Sequence, residues 1–320
     1  MKKSIGGFFE KENLTGNYNS FHSSDAIKVV NGRSALFILL MKIMPSKVRL
    51  PFYSCDSLLQ PILKLDIPFE YYSIDKNFMP IADAFEKDDL VIFINYFGLL
   101  ENRIIAFTAQ NDIQHFLVDN TQSFFIKPKN YYAFNSARKF FGVTDGAFLF
   151  PNNLKFENDL ESISFSEEFL NLRSQGDLEN GYSLYQKNEL SQPCEYYKMS
   201  EIADNILCHL DYDEIGMKRK ENFIFLNEKL NPFNTLGSLS LGENIPFVFP
   251  FLPTKSINRQ SLFDKGIFFP TLWKEVLEKK NIGFDRERNL SAYLIPLPID
   301  HRYSLIDMEY IFNQLLKQLK

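Results

Sequence analysis

HFLVDNTQSFFIKPKNYYAFNSARKFFGVTDGAFLF, residues 115–150, is the stretch whose reading decides the fold. An apolar run ends in Asp119, and a polar step passes through Gln122 and Ser123. A second apolar run follows, then Ser136, Arg138, Lys139 and Asp145-Gly146 before a third apolar run. Short apolar runs bounded by polar turns mark buried strands, so the order is strand, carboxylate, strand, lysine, strand. An acid at the carboxyl end of a buried parallel strand stands where open α/β sheets receive ligands, and a lysine one strand further on can reach the same crevice.

That pair suits pyridoxal phosphate, which takes a lysine for its Schiff base and an acid against its pyridinium nitrogen. The order and spacing resemble the DegT/StrS-type sugar aminotransferases, a branch of the fold-type I enzymes that use this cofactor. Asp119-Asn120-Thr121-Gln122 stands where that family has Asp-x-Ala-Gln or Asp-x-Ala-His. Lys139 stands at its cofactor lysine, and Asp145-Gly146-Ala147 at its acid-Gly-Gly segment. Thr121 and Ala147 are departures. Taken singly, Asp-x-x-Gln after a strand is most often a turn or a helix start, and a lysine in a basic patch is most often a solvated face. Agreement in order, spacing and strand context, with further matches on both sides, favours the functional reading.

On the N-terminal side, Ala35, Leu36, Leu39, Leu40 and Ile43 recur at helical spacing and Pro45 stops the pattern. Asn31-Gly32-Arg33-Ser34 therefore stands at a helix N-terminus, where free N–H groups and the dipole favour a phosphate. It is similar to the family's Gly-Thr-Ala-Ala-Leu turn, which implies that Gly32, Arg33 and Ser34 contact the cofactor phosphate. Arg33 replaces the family's threonine and either adds a direct charge there or points elsewhere. Residues 48–75 read as strand, helix and strand, punctuated by Pro51 and Pro68. The resemblance puts an aromatic from this loop on the pyridine ring: Tyr53, with Phe52 as the alternative. Leu90–Gly98 reads as a buried strand running into a turn, and residues 101–111 as a helix. Strands alternating with helices imply right-handed crossovers and a mainly parallel sheet.

On the C-terminal side, residues 154–193 are polar with weak periodicity, which predicts helices and loops over the site. Tyr196-Tyr197-Lys198-Met199-Ser200-Glu201 and Lys218-Arg219-Lys220 stand where the family has Asn-Tyr-Arg-Met-Ser-Glu and Lys-Arg-Arg; Tyr196 and Lys198 are departures. FVFPFLP, KGIFFPTLW and AYLIPLPID read as strands of a smaller sheet. Ser304-Leu305-Ile306-Asp307 reads as a capping box opening a last helix with Leu305, Met308, Ile311, Leu315 and Leu319 inward.

Composition bounds the reading. The 320 residues include 33 Phe and 15 Tyr, ample for a large core. A net charge of -5 gives no basic footprint, so nucleic acid is not an expected partner. Cys55, Cys194 and Cys208 are odd in number and lack C-x-x-C spacing, which argues against a disulfide framework or a zinc site and fits a reducing cytoplasm. The first residues have no apolar h-region, and the longest apolar run, residues 90–100, is too short to span a bilayer. A cytoplasmic protein with no membrane partner is expected.

The resemblance as a whole implies an α/β, fold-type I enzyme. A large cofactor domain would cover residues 1–195, connecting and interface helices 196–234, and a small C-terminal domain 235–320. It implies amino transfer from an amino acid, glutamate in the family, to a keto group of a nucleotide-linked sugar for glycoconjugate synthesis. The implied catalytic residues are Lys139, Asp119 and Gln122, with Gln122 near the cofactor's phenolic oxygen. Ser136 with the Gly32 turn would bind phosphate, although the family's serine lies five residues before its lysine, where Phe134 stands here. The unit would be a homodimer, with the apolar stripe Ile202, Ile206 and Leu210 at the interface and Lys198 near the partner's phosphate site. Relatives that dehydrate sugars replace the lysine, often by histidine; a dehydratase or a member of the fold without turnover is the alternative.

Overall fold

The computed structural model describes residues 4–14, 18–22, 26–81, 85–156, 161–237 and 239–320. Its centre is a ten-stranded sheet in the order Glu161–Ser162, Tyr197–Lys198, Ile27–Val29, Ala147–Phe150, Tyr132–Asn135, Phe116–Asn120, Asp89–Ile94, Lys47–Pro51, Phe69–Ile74, Pro80–Ile81. The strands from Tyr132–Asn135 to Phe69–Ile74 are mutually parallel, and Ala147–Phe150 turns back antiparallel. Every residue of Asp89–Ile94 is buried, as expected of a strand covered on both faces. Register then sets the site: Asp119 lies opposite Ile94 on one side and Phe134 on the other. The turn after Asn135 therefore begins at the level where the Asp119 strand ends.

The helix Gly32–Ile43 starts where the sequence places it. Asn31 caps it by accepting from the Ser34 N–H at 2.9 Å, and Met44 leaves it at φ +50°. Ser34 to Leu40 are all buried, so this helix is enclosed on every side and packs on Asp56–Lys64 and the sheet. Two further helices, Glu168–Gln175 and Leu178–Ser191, cover the cavity described below.

The C-terminal part differs from the single small sheet that was expected. Val248–Phe251 pairs antiparallel with Ile295–Pro298, but Ile267–Phe268 pairs parallel with Ile5–Gly6 from the leading arm. Gly6 makes the pairing possible: its φ is +82°, and a Cβ there would stand 1.9 Å from the Phe268 carbonyl oxygen. Gly142 lets the arm pass in the same way, since a Cβ would come within 1.8 Å of the Glu10 carbonyl oxygen. The last helix, Leu305–Leu319, has the expected capping box, with Met308, Ile311, Leu315 and Leu319 buried. Leu305 is instead 46% exposed; the Asp307 side chain folds back onto Ser304 in that first turn, and Leu305 faces out.

Residues 196–230 form a strand and two helices, Glu201–Leu207 and Tyr212–Leu230. Tyr197–Lys198 joins the large sheet beside Val29, so segments on both sides of residue 195 share one sheet. Ile206 and Leu210 are buried in this chain's own core, and of the expected interface stripe Ile202 alone is exposed. Among the described residues no helix is long and apolar enough to cross a membrane.

Candidate active site

The carboxyl ends of the central strands open into a cavity of about 1040 Å³. Asp119 stands on its floor, 4% exposed, with Oδ1 accepting from the Thr121 N–H at 2.8 Å. Burial pushes its carboxyl up to about 6; the Thr121 donors and the Lys139 ammonium take back part of that rise. No salt bridge to Asp119 occurs among the described residues. Lys139 ends the turn Ala137–Lys139 and lines the same cavity, with no hydrogen bond or salt bridge among the described residues. Ser136 also lines it, 3% exposed, and its hydroxyl has no hydrogen-bond partner among the described residues. A buried acid and a free amine thus share one floor, held by consecutive strand ends.

Gly32 and Arg33 border the floor at the helix N-terminus. Arg33 donates through Nη2 to the Glu189 carbonyl and through Nη1 to the Gln192 carbonyl, each at 3.2 Å. Arg138 lines the same wall, pairs with the Glu189 carboxylate, and keeps a buried Nε without a partner. Burial and the neighbouring Arg138 charge both lower the proton affinity of Arg33.

The opposite rim belongs to the leading arm, the covering helices and the C-terminal part. Phe8 stacks on Tyr185 with centroids 5.4 Å apart, and Arg173 lies over the Phe8 ring at 5.0 Å. Asp300, also on the rim, takes a two-pronged contact from Arg302 at 2.7 and 3.0 Å. Burial alone would raise the Asp300 carboxyl, but the Arg302 guanidinium overturns this and holds it down to about 2. Arg302 also donates to Glu10 at 2.8 Å and to the Phe8 carbonyl at 3.1 Å, clasping the arm.

No family model matches the sequence, and no curated protein matches it. Solved structures do match this architecture. An aminotransferase, TlmJ, from Streptoalloteichus hindustanus superposes with a TM-score of 0.67 at 14% identity, over 99% of this chain and 100% of that one. PseC from Helicobacter pylori, an aminotransferase involved in the biosynthesis of pseudoaminic acid, gives 0.64 at 12% identity, over 99% of each chain. The GDP-4-keto-6-deoxy-D-mannose-3-dehydratase of E coli, solved with hydrated PLP, gives 0.64 at 14% identity, over 91% and 87%. The fold is that of the sugar aminotransferases.

Within this aminotransferase fold, the structure brings Asp119, Lys139, Ser136, Gly32 and Arg33 to one cavity and leaves three expected residues outside its lining. Gln122 is 2% exposed, and its Oε1 accepts from the Phe97 N–H at 2.7 Å. It therefore holds the Phe97 turn, where φ is +61°. Ser34 is fully buried, its N–H on Asn31 and its Oγ accepting from the Glu195 N–H at 3.4 Å. Tyr53 is also fully buried, between Tyr96 at 5.6 Å and Trp273 at 4.6 Å.

Cys55 lines the cavity where the ring-stacking aromatic was expected from this loop. It is the N-cap residue of Asp56–Lys64, and its thiol is near enough to feel both Asp119 and Lys139. Burial raises that thiol, while the Lys139 charge lowers it in part. A helix start at Asp56-Ser57, directly after a strand that ends at Pro51, was the signal that could have found it, since such helix starts face the crevice. Arg138 and Glu189 were also missed as site residues. Only the covering helix brings Glu189 to Arg138, and that contact spans 51 residues.

Proposed function

We propose that this chain is a pyridoxal-phosphate-dependent aminotransferase acting on a sugar, the amino donor being an amino acid. The observation that carries the reading is the pairing of a free Lys139 with a buried Asp119 in one cavity of an aminotransferase fold. The donor set fits the cofactor. Asp119 has no salt bridge among the described residues and a carboxyl raised to about 6; a protonated ring nitrogen would supply the missing positive charge. Arg33, Arg138, Ser136 and the Gly32 N–H offer donors for a phosphate.

When bound, pyridoxal phosphate supplies an electron sink for a carbanion next to the amino nitrogen. Lys139 would hold the cofactor through its Nζ, and the same amine would serve as general base and general acid for the proton at the donor's α-carbon. Asp119 would keep the ring nitrogen protonated. Phe8, Tyr182 and Tyr185 wall the cavity on the rim side and limit water there. Gln122 acts one step removed, by fixing the turn at Phe97.

The finer reading is a keto sugar carried on a nucleotide, with glutamate as donor, in a homodimer. Its support is the family resemblance, with PseC and TlmJ as structural neighbours; Lys139 favours amino transfer over dehydration. Exposed Ile202 and Lys198 stand on the face where the resemblance puts the partner. Light scattering after size exclusion tests the dimer. For the chemistry, borohydride reduction of the cofactor-loaded protein followed by peptide mapping is expected to mark Lys139. Label on another lysine, or none, overturns the reading.

A further inference from the structure

Few groups around the Gly32 turn remain able to hold an anion. The Asn31 side chain is spent: its oxygen accepts from the Ser34 N–H, and its nitrogen donates to Gln192 Oε1 at 3.1 Å and the Pro193 carbonyl at 2.9 Å. Ser34 is buried and engaged. Beneath the turn, the Phe134 ring and the Thr121 methyl lie 3.2 to 3.3 Å from where a Gly32 Cβ would stand, so that side is apolar. The two positions where the resemblance expects hydroxyl donors carry Arg33 and Phe134.

Two guanidiniums border this turn. Arg33 Nη2 donates to the Glu189 carbonyl and Arg138 Nη1 to the Glu189 carboxylate, so a single residue of the covering helix orients both. Both arginines line the cavity beside Gly32 and the partnerless Ser136 hydroxyl, and Arg138 Nε is buried without an acceptor. Two positive charges against one carboxylate leave a net positive charge at a helix N-terminus, which suits a phosphate dianion.

We propose that Arg33 and Arg138 form a two-guanidinium clamp for the phosphate of the cofactor, set by Glu189, whose carboxylate the incoming phosphate must outcompete on Arg138. The proposal rests on the cofactor reading above; the resemblance already implies Arg33, and the structure adds Arg138, Glu189 and the competition between carboxylate and phosphate. It makes Glu189 a positioning residue with a cost: the same ion pair that orients Arg138 lowers its availability to phosphate.

The test compares binding of pyridoxal 5'-phosphate with that of pyridoxal, which lacks the phosphate, by absorbance titration of the full chain stripped of cofactor. Arg33→Met and Arg138→Met are each expected to weaken the phosphorylated aldehyde by about ten- to a hundredfold, the loss of a charge-assisted contact, and to leave pyridoxal unchanged. Glu189→Gln should tighten the phosphorylated aldehyde several-fold and make inorganic phosphate a better competitor. That gain cannot come from a damaged fold. Variants that leave the ratio of the two affinities at its wild-type value overturn the clamp. So does a pattern in which they weaken uridine diphosphate alone, which would assign the arginines to a substrate diphosphate. A wild-type chain that binds neither aldehyde removes the cofactor reading and the clamp with it, whereas an unchanged ratio removes the clamp alone.

Discussion

Asp119 and Asp300 look into the same cavity from opposite sides, and the fold treats them in opposite ways. Asp119, on the sheet floor, is buried without a cationic partner in contact, and its carboxyl rises to about 6. Asp300, on the rim, is buried against Arg302 and falls to about 2. The floor carboxylate costs the empty chain stability and is ready for a charge from a ligand; the rim carboxylate has its charge matched by the protein and fixes the arm. A strained, unmatched group beside a matched one separates the part of the cavity that does chemistry from the part that holds shape.

The sharpest way to break this contrast is Asp119→Asn. Turnover is expected to fall about a hundredfold, the loss of one preorganised electrostatic partner, while the cofactor-free protein becomes more stable. The folded chain holds its Asp119 proton from the unfolded value of 3.8 up to about 6, so wild-type stability falls as pH rises through that window. At pH 8 the variant should gain on the order of 3 kcal/mol, and below about pH 4 the gain should disappear. Turnover and denaturant melts at both pH values decide it; a variant with near-normal turnover, or one less stable at pH 8, contradicts the assignment.

Asp300→Asn should move stability the other way. Its carboxyl titrates lower folded than unfolded, so its contribution is present above 3.8 and lost as pH falls towards 2. At pH 7 the variant should lose about 2 kcal/mol, with limited proteolysis cutting first in residues 4–12. Loss without faster cleavage of the arm would show that Arg302 does not clasp it.

The smallest effect sharpens the floor. The Tyr53 hydroxyl is buried without a hydrogen-bond partner among the described residues, so Tyr53→Phe should leave turnover unchanged and stability equal or higher by up to about 1 kcal/mol. A marked rise in the cofactor Kd of this variant would show that the Tyr53 hydroxyl reaches the ligand after all.

The floor was readable from residues 115–150 because local physics writes it there. An apolar run that stops at a carboxylate is a strand end, and the next run brings Lys139 to the same edge. Asn31 and Pro45 bounded the Gly32–Ile43 helix for equally local reasons. The misplacements lie where the chain turns or meets itself at long range. Tyr53 and Cys55 are two residues apart in one loop, and it is Tyr53 that packs on the distant Tyr96 and Trp273 while Cys55 lines the cavity. Ile206 and Leu210 were apolar at the right spacing, but spacing does not say which neighbour covers the stripe, and here it is this chain's own core. The rim was unreadable because its pairs join residues near the start of the chain to residues near its end.

The clasp has a consequence for the order of assembly. The Gly6 N–H donates to the Tyr303 hydroxyl at 2.7 Å across a separation of 297 residues, and Ile5–Gly6 pairs with a strand at Ile267–Phe268. A nascent chain emerges from its N-terminus, so the arm can first meet the covering helices at Phe169 and Tyr185 and gains its strand partner and the Arg302 clasp only when the last segments follow. The large sheet needs nothing beyond Lys198 and can form while the remainder is still being translated. Closing so long a loop adds only about 0.6 kcal/mol per doubling of length, so the delay is one of timing. A ribosome-bound chain halted before Ile267 would carry the Asp119–Lys139 floor with its mouth open and its arm held by the covering helices but without its strand partner.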